Sequence, residues 1–173
     1  MRRRVRLVLP LLPRFPLTRP RDQWAERVLD RAEIRPGDTV ADVGAGTGVL
    51  TFGALERVGA NGAVIAFDVS AAALEALRRR AREQGVNGRV AFLIGQADVL
   101  PLPDGSVDVV VAGPGQPTAD EAREFFRVLR PRGRVSLAGE GDLRGVFEAA
   151  GFDVDVELGA AERTRYVSGA KPA

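Results

Sequence analysis

Neither cysteine nor histidine occurs anywhere in the 173 residues. The first absence removes disulfides, thiol nucleophiles and thiolate metal ligands, and the second removes the commonest general base and the commonest zinc ligand. No metal site is expected. Chemistry would have to run on carboxylates, backbone groups and whatever a bound cofactor brings. A chain without cysteine also suits a reducing compartment, so a cytoplasmic location is expected. Long apolar runs are missing too. With no stretch of about 18 uninterrupted apolar residues, no transmembrane helix is expected.

What is present suffices for one well-buried domain, since 45% of the residues are hydrophobic, and is too short for two. The net charge of +2 conceals an uneven distribution: residues 1–21 carry seven arginines and no acid, which leaves 18 basic against 23 acidic groups in the remainder. Residues 1–19 therefore read as a basic, apolar N-terminal arm and residues 20–173 as the domain. The arm begins like an export signal, but Arg6, Pro10 and Pro13 interrupt its apolar run and no small-residue cleavage site follows.

From residue 39 onward, strand patterns alternate with helical ones, the mark of βα units and a largely parallel sheet. Strands are predicted at 39–43, 63–68, 89–94, 107–112 and 134–138. Between them, helices are predicted from Gly48 to Val58, from a Ser70 cap to Gln84, from Thr118, whose spacing to Glu121 makes a capping box, and from Asp142 to Ala150. Phe152 to Leu158 and Arg163 to Ser168 give two closing strands. So short a connection holds no crossover helix, so this pair is predicted to be an antiparallel hairpin. An amphipathic helix, Pro20 to Ile34, precedes the sheet with Trp24, Val28, Leu29 and Ala32 on one face. The expected fold is an α/β doubly wound sheet of seven strands with helices on both faces.

The turn Asp42-Val43-Gly44-Ala45-Gly46-Thr47-Gly48 joins the first strand to its helix. Glycines there let a ligand approach the backbone near a helix N-terminus. Asp68 ends the second strand, where a carboxylate can accept both hydroxyls of a ribose. Asp98 follows the third, where it can accept from an adenine amine. These three acids share one edge of neighbouring strands. A dinucleotide fingerprint would need glycine at Val49, and a P-loop would need lysine near Gly48. Asp42 would also repel a pyrophosphate, whereas it would attract an ammonium. An adenosine ligand carrying positive charge fits best.

On these residues the chain resembles the class I S-adenosylmethionine (SAM)-dependent methyltransferases. Val40 to Gly48 resembles their motif I, Val64 to Val69 their acidic second-strand motif, Gln96 to Asp108 their adenine-side and fourth-strand motif, and Arg127 to Arg134 the approach to their fifth strand. The resemblance implies that Asp42 with Gly44, Ala45 and Gly46 holds the methionyl part of SAM. It also implies that Asp68 with Val69 holds the ribose side, that Asp98 with Val99 holds the adenine, and that Ala112 and Gly113 face the transferable methyl. No catalytic side chain is assigned, although Asp120, Glu121 and Glu140 stand near enough in sequence to serve as bases.

The overall likeness is to the small-molecule, quinone-biosynthesis group, which implies methyl transfer by in-line displacement to a small, lipophilic or uncharged acceptor. Lack of cysteine removes the covalent mechanism of cytosine methylation. Ala112-Gly113-Pro114-Gly115 differs from the motif that holds a flipped base, so nucleic acid is not the expected partner. Two departures stand out: Arg132 replaces a usual glycine, and the insertions that form a substrate lid are missing. An exposed site would suit a homodimer partner, or closure by the arm, whose alternation of Arg with Leu and Val would also suit an anionic membrane surface. Two other classes remain beside this one: a non-catalytic SAM-binding module and an NAD(P)-binding oxidoreductase.

Overall fold

The computed structural model describes residues 23–159 and 164–173. The arm at 1–19, the start of the helix expected from Pro20, and Arg163 lie outside the described residues. Within them the chain runs α1 (Gln23–Arg31), β1 (Thr39–Val43), α2 (Val49–Val58), β2 (Ala63–Asp68), α3 (Ala71–Glu83), β3 (Val90–Ile94) and β4 (Val107–Gly115). It continues through α4 (Ala119–Val128), β5 (Leu129–Gly139), α5 (Leu143–Ala149), β6 (Asp153–Leu158) and β7 (Arg165–Ala170). The strands form one sheet in the order β3-β2-β1-β4-β5-β7-β6. Strands β1 to β5 pair in parallel, while β7 runs antiparallel between β5 and β6. This is the doubly wound α/β sheet with a closing hairpin that the element pattern predicts.

Side chains alternate across a strand, so apolar residues at successive positions feed two cores. Val40, Val64, Val109 and Val111 pack under α1, α2 and α3 with Val28, Leu29, Leu55 and Leu77. Ala41, Val43, Phe67 and Val110 face the other way, against Phe125 and Val128 of α4 and Phe147 of α5. Each of the valine, leucine and phenylalanine side chains among them, when fully buried, contributes on the order of 1.5–3 kcal/mol before entropy is counted. Local signals set where the helices begin: Ser70 accepts from Ala73 N–H at 3.2 Å. At α4, Thr118 accepts from Glu121 N–H at 3.2 Å while the Glu121 carboxylate accepts from Thr118 N–H at 2.6 Å.

Several boundaries differ from the sequence expectation. Helix α1 stops at Arg31 rather than Ile34, because Glu33 turns left-handed at φ 47°. Strand β4 continues through Gly115, and β5 starts at Leu129 rather than Arg134. Its ladder pairs Val107 with Leu129 and resumes at Val109 with Arg134, so residues 130–133 bulge out. Arg132 sits at the apex with φ 63°, and its N–H donates to Lys171 C=O at 3.0 Å. Strand β7 spans Arg165–Ala170, two residues later than expected, in register with Gly139 to Arg134 of β5.

Candidate functional site

The strand order reverses between β1 and β4, so their connections leave in opposite directions and a crevice opens at the carboxyl edge. A cleft of about 310 Å³ lies there. One wall is Val43, Gly44, Asp68, Val69, Gly95 and Ala97; the other is residues 112–117 with Glu121, Phe125 and Leu137. Of the expected site residues, Gly44, Asp68, Val69, Ala112 and Gly113 line it.

Gly44 and Ala45 N–H both donate to Phe67 C=O, at 2.9 and 2.8 Å, which folds the turn back over β2. Gly44 adopts φ 78°, which disfavours other residues, and open space surrounds the position a Cβ would occupy. The backbone face is therefore exposed to the cleft. Gly48 is required for a different reason: a Cβ there would come within 2.2 Å of Leu77 Cδ1. Ala45 is buried beneath the turn and Gly46 half-buried within it.

Asp68 is half-buried and accepts two backbone hydrogen bonds, from Gly46 N–H at 2.9 Å and from Ser70 N–H at 2.8 Å. It thereby ties the end of β2 to the glycine turn while facing the cleft. Asp42 lies deeper and lines no part of the cleft. Its side chain is wholly buried, with Oδ2 accepting from the Thr51 hydroxyl and Oδ1 without any partner. Burial pushes its carboxyl up to about 7, the Thr51 hydrogen bonds oppose that, and the nearby Asp68 charge adds to it. Asp98 and Val99 stand exposed on a turn closed by a Gln96–Val99 bridge beyond β3, at the rim rather than in the wall. Val69 and Val99 are exposed apolar side chains, at 70% and 69%.

Among the three acids considered as bases, Glu121 alone lines this cleft. Asp120 pairs with Arg123, and Glu140 lies in an adjoining hollow with Gln116 and Thr164. Thr51, Gln116, Phe125 and Leu137 were not singled out by sequence. The only available signal was position, Thr51 being in the first turn of α2 above Asp42. Among the described residues, no group of three or more acids could hold a metal ion.

A model described as a methyltransferase domain matches residues 40–133. The chain belongs to the class I SAM-dependent methyltransferase family. It is 38% identical over 121 residues to the nocamycin O-methyltransferase of Saccharothrix syringae, covering 66% of this chain and 42% of that protein. To the ubiquinone/menaquinone biosynthesis C-methyltransferase of Ectopseudomonas mendocina it is 35% identical over 116 residues, covering 65% and 45%. The chain thus spans less than half the length of either relative. A solved SAM-dependent methyltransferase from Aquifex aeolicus shares the fold, with a TM-score of 0.72 at 22% identity over 84% of this chain and 88% of that one. SAM is the cofactor that membership of this methyltransferase family brings.

Proposed function

We propose that this chain is a SAM-dependent methyltransferase that presents a small, uncharged or lipophilic acceptor to the cofactor at the end of β4. The observation that carries the proposal is the charge and polarity of the cleft. The cleft has an open glycine face at Gly44, an acid at Asp68, and no Arg or Lys among its described lining residues, and the buried Asp42 with its unpaired oxygen lies behind it, beneath the turn. A pyrophosphate would bring charge with nothing to answer it, whereas an ammonium or sulfonium would be attracted. The residues therefore fit SAM. Neither a non-catalytic module nor an NAD(P)-binding oxidoreductase finds support among the relatives, both of which are named methyltransferases.

In this reading the turn Gly44-Ala45-Gly46 and Asp42 flank the methionyl part, Asp68 and Val69 the ribose, and Asp98 and Val99 the adenine. When bound, SAM supplies a methyl group on a sulfonium, so the protein's task is alignment and exclusion of water. Ala112 and Gly113, in the last part of β4, carry a methyl group and no side chain, respectively, which leaves an acceptor room to reach the methyl of the cofactor. Phe125 and Leu137 give that side an apolar lining, and Glu121, one oxygen of which caps α4, would be the carboxylate to take up a proton from an acceptor hydroxyl. We further propose that residues 20–173 form the catalytic domain in the cytoplasm, that the basic arm 1–19 touches anionic membrane or acceptor, and that a second copy completes the open side. No helix of the described residues is long and apolar enough to cross a membrane.

Calorimetry with SAM, S-adenosylhomocysteine and NADH tests the proposal. Binding of both adenosyl ligands is expected. Preferential binding of NADH would overturn it, and SAM binding without methyl transfer to any of a panel of quinols and phenols would leave a binding module instead.

A further inference from the structure

The turn that carries Asp98 and Val99 is fastened at both ends. At the near end Gly95 N–H donates to Asp68 C=O at 3.3 Å. At the far end the main chain is caught by α4. Leu100 N–H donates to Glu124 Oε1 at 2.6 Å, and Arg127 donates to the carbonyls of Leu100 at 3.1 Å and Leu102 at 2.8 Å. The two side chains also grip each other, Arg127 Nε meeting Glu124 Oε2 at 2.8 Å and Nη2 meeting Oε1 at 2.6 Å.

This is more than a surface ion pair. The Glu124 side chain is only 11% exposed, and Arg127 hydrogen bonds hold its carboxyl below the ordinary range. An ionised pair whose carboxylate is sheltered from solvent, with a rigid guanidinium fork bridging two main-chain carbonyls and the carboxylate taking a main-chain N–H, fixes direction as well as distance. Leu100 itself is buried, so the clamp holds the main chain beside a hydrophobic anchor, just downstream of Asp98 and Val99.

We infer that Glu124 and Arg127 are positioning residues of the cofactor site: by fixing the main chain at Leu100 and Leu102 they set where the Asp98 carboxylate stands on the rim. The inference rests on the reading of Asp98 and Val99 as the adenine side. It predicts that loss of the clamp weakens recognition of the adenine amine specifically, because a freed turn still folds but no longer holds its carboxylate in one place.

The test is a double-mutant cycle read by calorimetry with S-adenosylhomocysteine, using Glu124→Gln, Asp98→Ala and the pair. Glu124→Gln places an amide donor against donors, and a loss of about threefold to tenfold in affinity is expected; in the pair the loss should stay within about twofold of that from Asp98→Ala alone. S-inosylhomocysteine, which lacks the amine, should bind parent and Glu124→Gln nearly alike. A merely structural role would weaken both ligands equally, and that result overturns the inference. So do additive losses in the cycle, or parental affinity in Glu124→Gln while Asp98→Ala is weakened. If Asp98→Ala itself binds like the parent, the adenine-side reading fails, and the route assigned to the clamp fails with it. Should Glu124→Gln not fold, Arg127→Lys, which keeps the charge and drops the fork, carries the same cycle.

Discussion

Asp68 accepts two backbone N–H groups, and a ligand's hydroxyls would meet a carboxylate already oriented by them. Removing it in Asp68→Ala should cost charge-assisted bonds of roughly 1.5–3 kcal/mol each at most, lowering SAM affinity by about one to three orders of magnitude. Asp68→Asn, which keeps one acceptor, should lose less. Parental affinity in a folded Asp68→Ala would remove the ribose assignment. Asp42 makes a different claim at the same scale. Its carboxyl is raised to about 7 from 3.8, so between those values the folded state holds a proton that the unfolded chain has released. That contribution to stability is fully present below about pH 4 and is lost as pH rises through about 7. Denaturant unfolding at pH 5 and pH 8 should show a larger drop for the parent than for Asp42→Asn. Parallel drops would show that burial at this site does not govern the titration. A cationic ligand near Asp42 would favour the ionised form, so SAM affinity should rise over the same range.

Among the elements, the bulge at the start of β5 is the most exposed to test. Arg132 holds φ 63°, a conformation that costs a side chain-bearing residue about 1–2 kcal/mol, partly offset by the entropy that glycine loses on folding. Arg132→Gly should therefore raise the melting temperature by roughly 1–3 °C without changing SAM affinity. A lower melting temperature would mean that the arginine side chain contributes more than its backbone strain. Element types were legible because each rests on local periodicity and caps: Ser70, Thr118 with Glu121, and the apolar runs of β1, β2 and β4 all declared themselves. The bulge was not, because Arg130-Pro131-Arg132-Gly133 reads as a loop, and only the pairing of the flanking Leu129 and Arg134 with Val107 and Val109 on one side, and backbone bonds to Lys171 just past β7 on the other, make it part of a strand.

For the whole molecule, a ligand that binds only the native state stabilises it by mass action. At one hundred times its dissociation constant the gain is about 2.7 kcal/mol, so S-adenosylhomocysteine should raise the melting temperature by roughly 5–10 °C. NADH should not. Equal shifts with both ligands, measured by differential scanning fluorimetry, would contradict a site built for a cationic adenosyl ligand. The ion pairs of Arg31 with Asp155 and Glu157, and of Arg27 with Glu157, join α1 to the closing hairpin. They bind the first described helix to the last pair of strands, although the more exposed of them, Arg27 with Glu157, contributes little.

Much of this protein was set by sequence alone. The alternation of strand and helix, the glycine turn, and acids at the ends of consecutive strands follow from chemistry acting over a few residues, and they sufficed to foresee a doubly wound sheet and an adenosyl ligand. Tertiary structure decided the rest. It buried Asp42 and left one of its oxygens unpaired, whereas the sequence gives it no depth. It brought Glu121, Phe125 and Leu137 round to face Gly44 and Asp68, because β4 lies beside β1, and β5 beside β4, in space and not in the chain. It also set Glu124 and Arg127 against Leu100 and Leu102, across about 25 residues that no local pattern connects. Sheet order determines those meetings, and sheet order is a property of the packed whole.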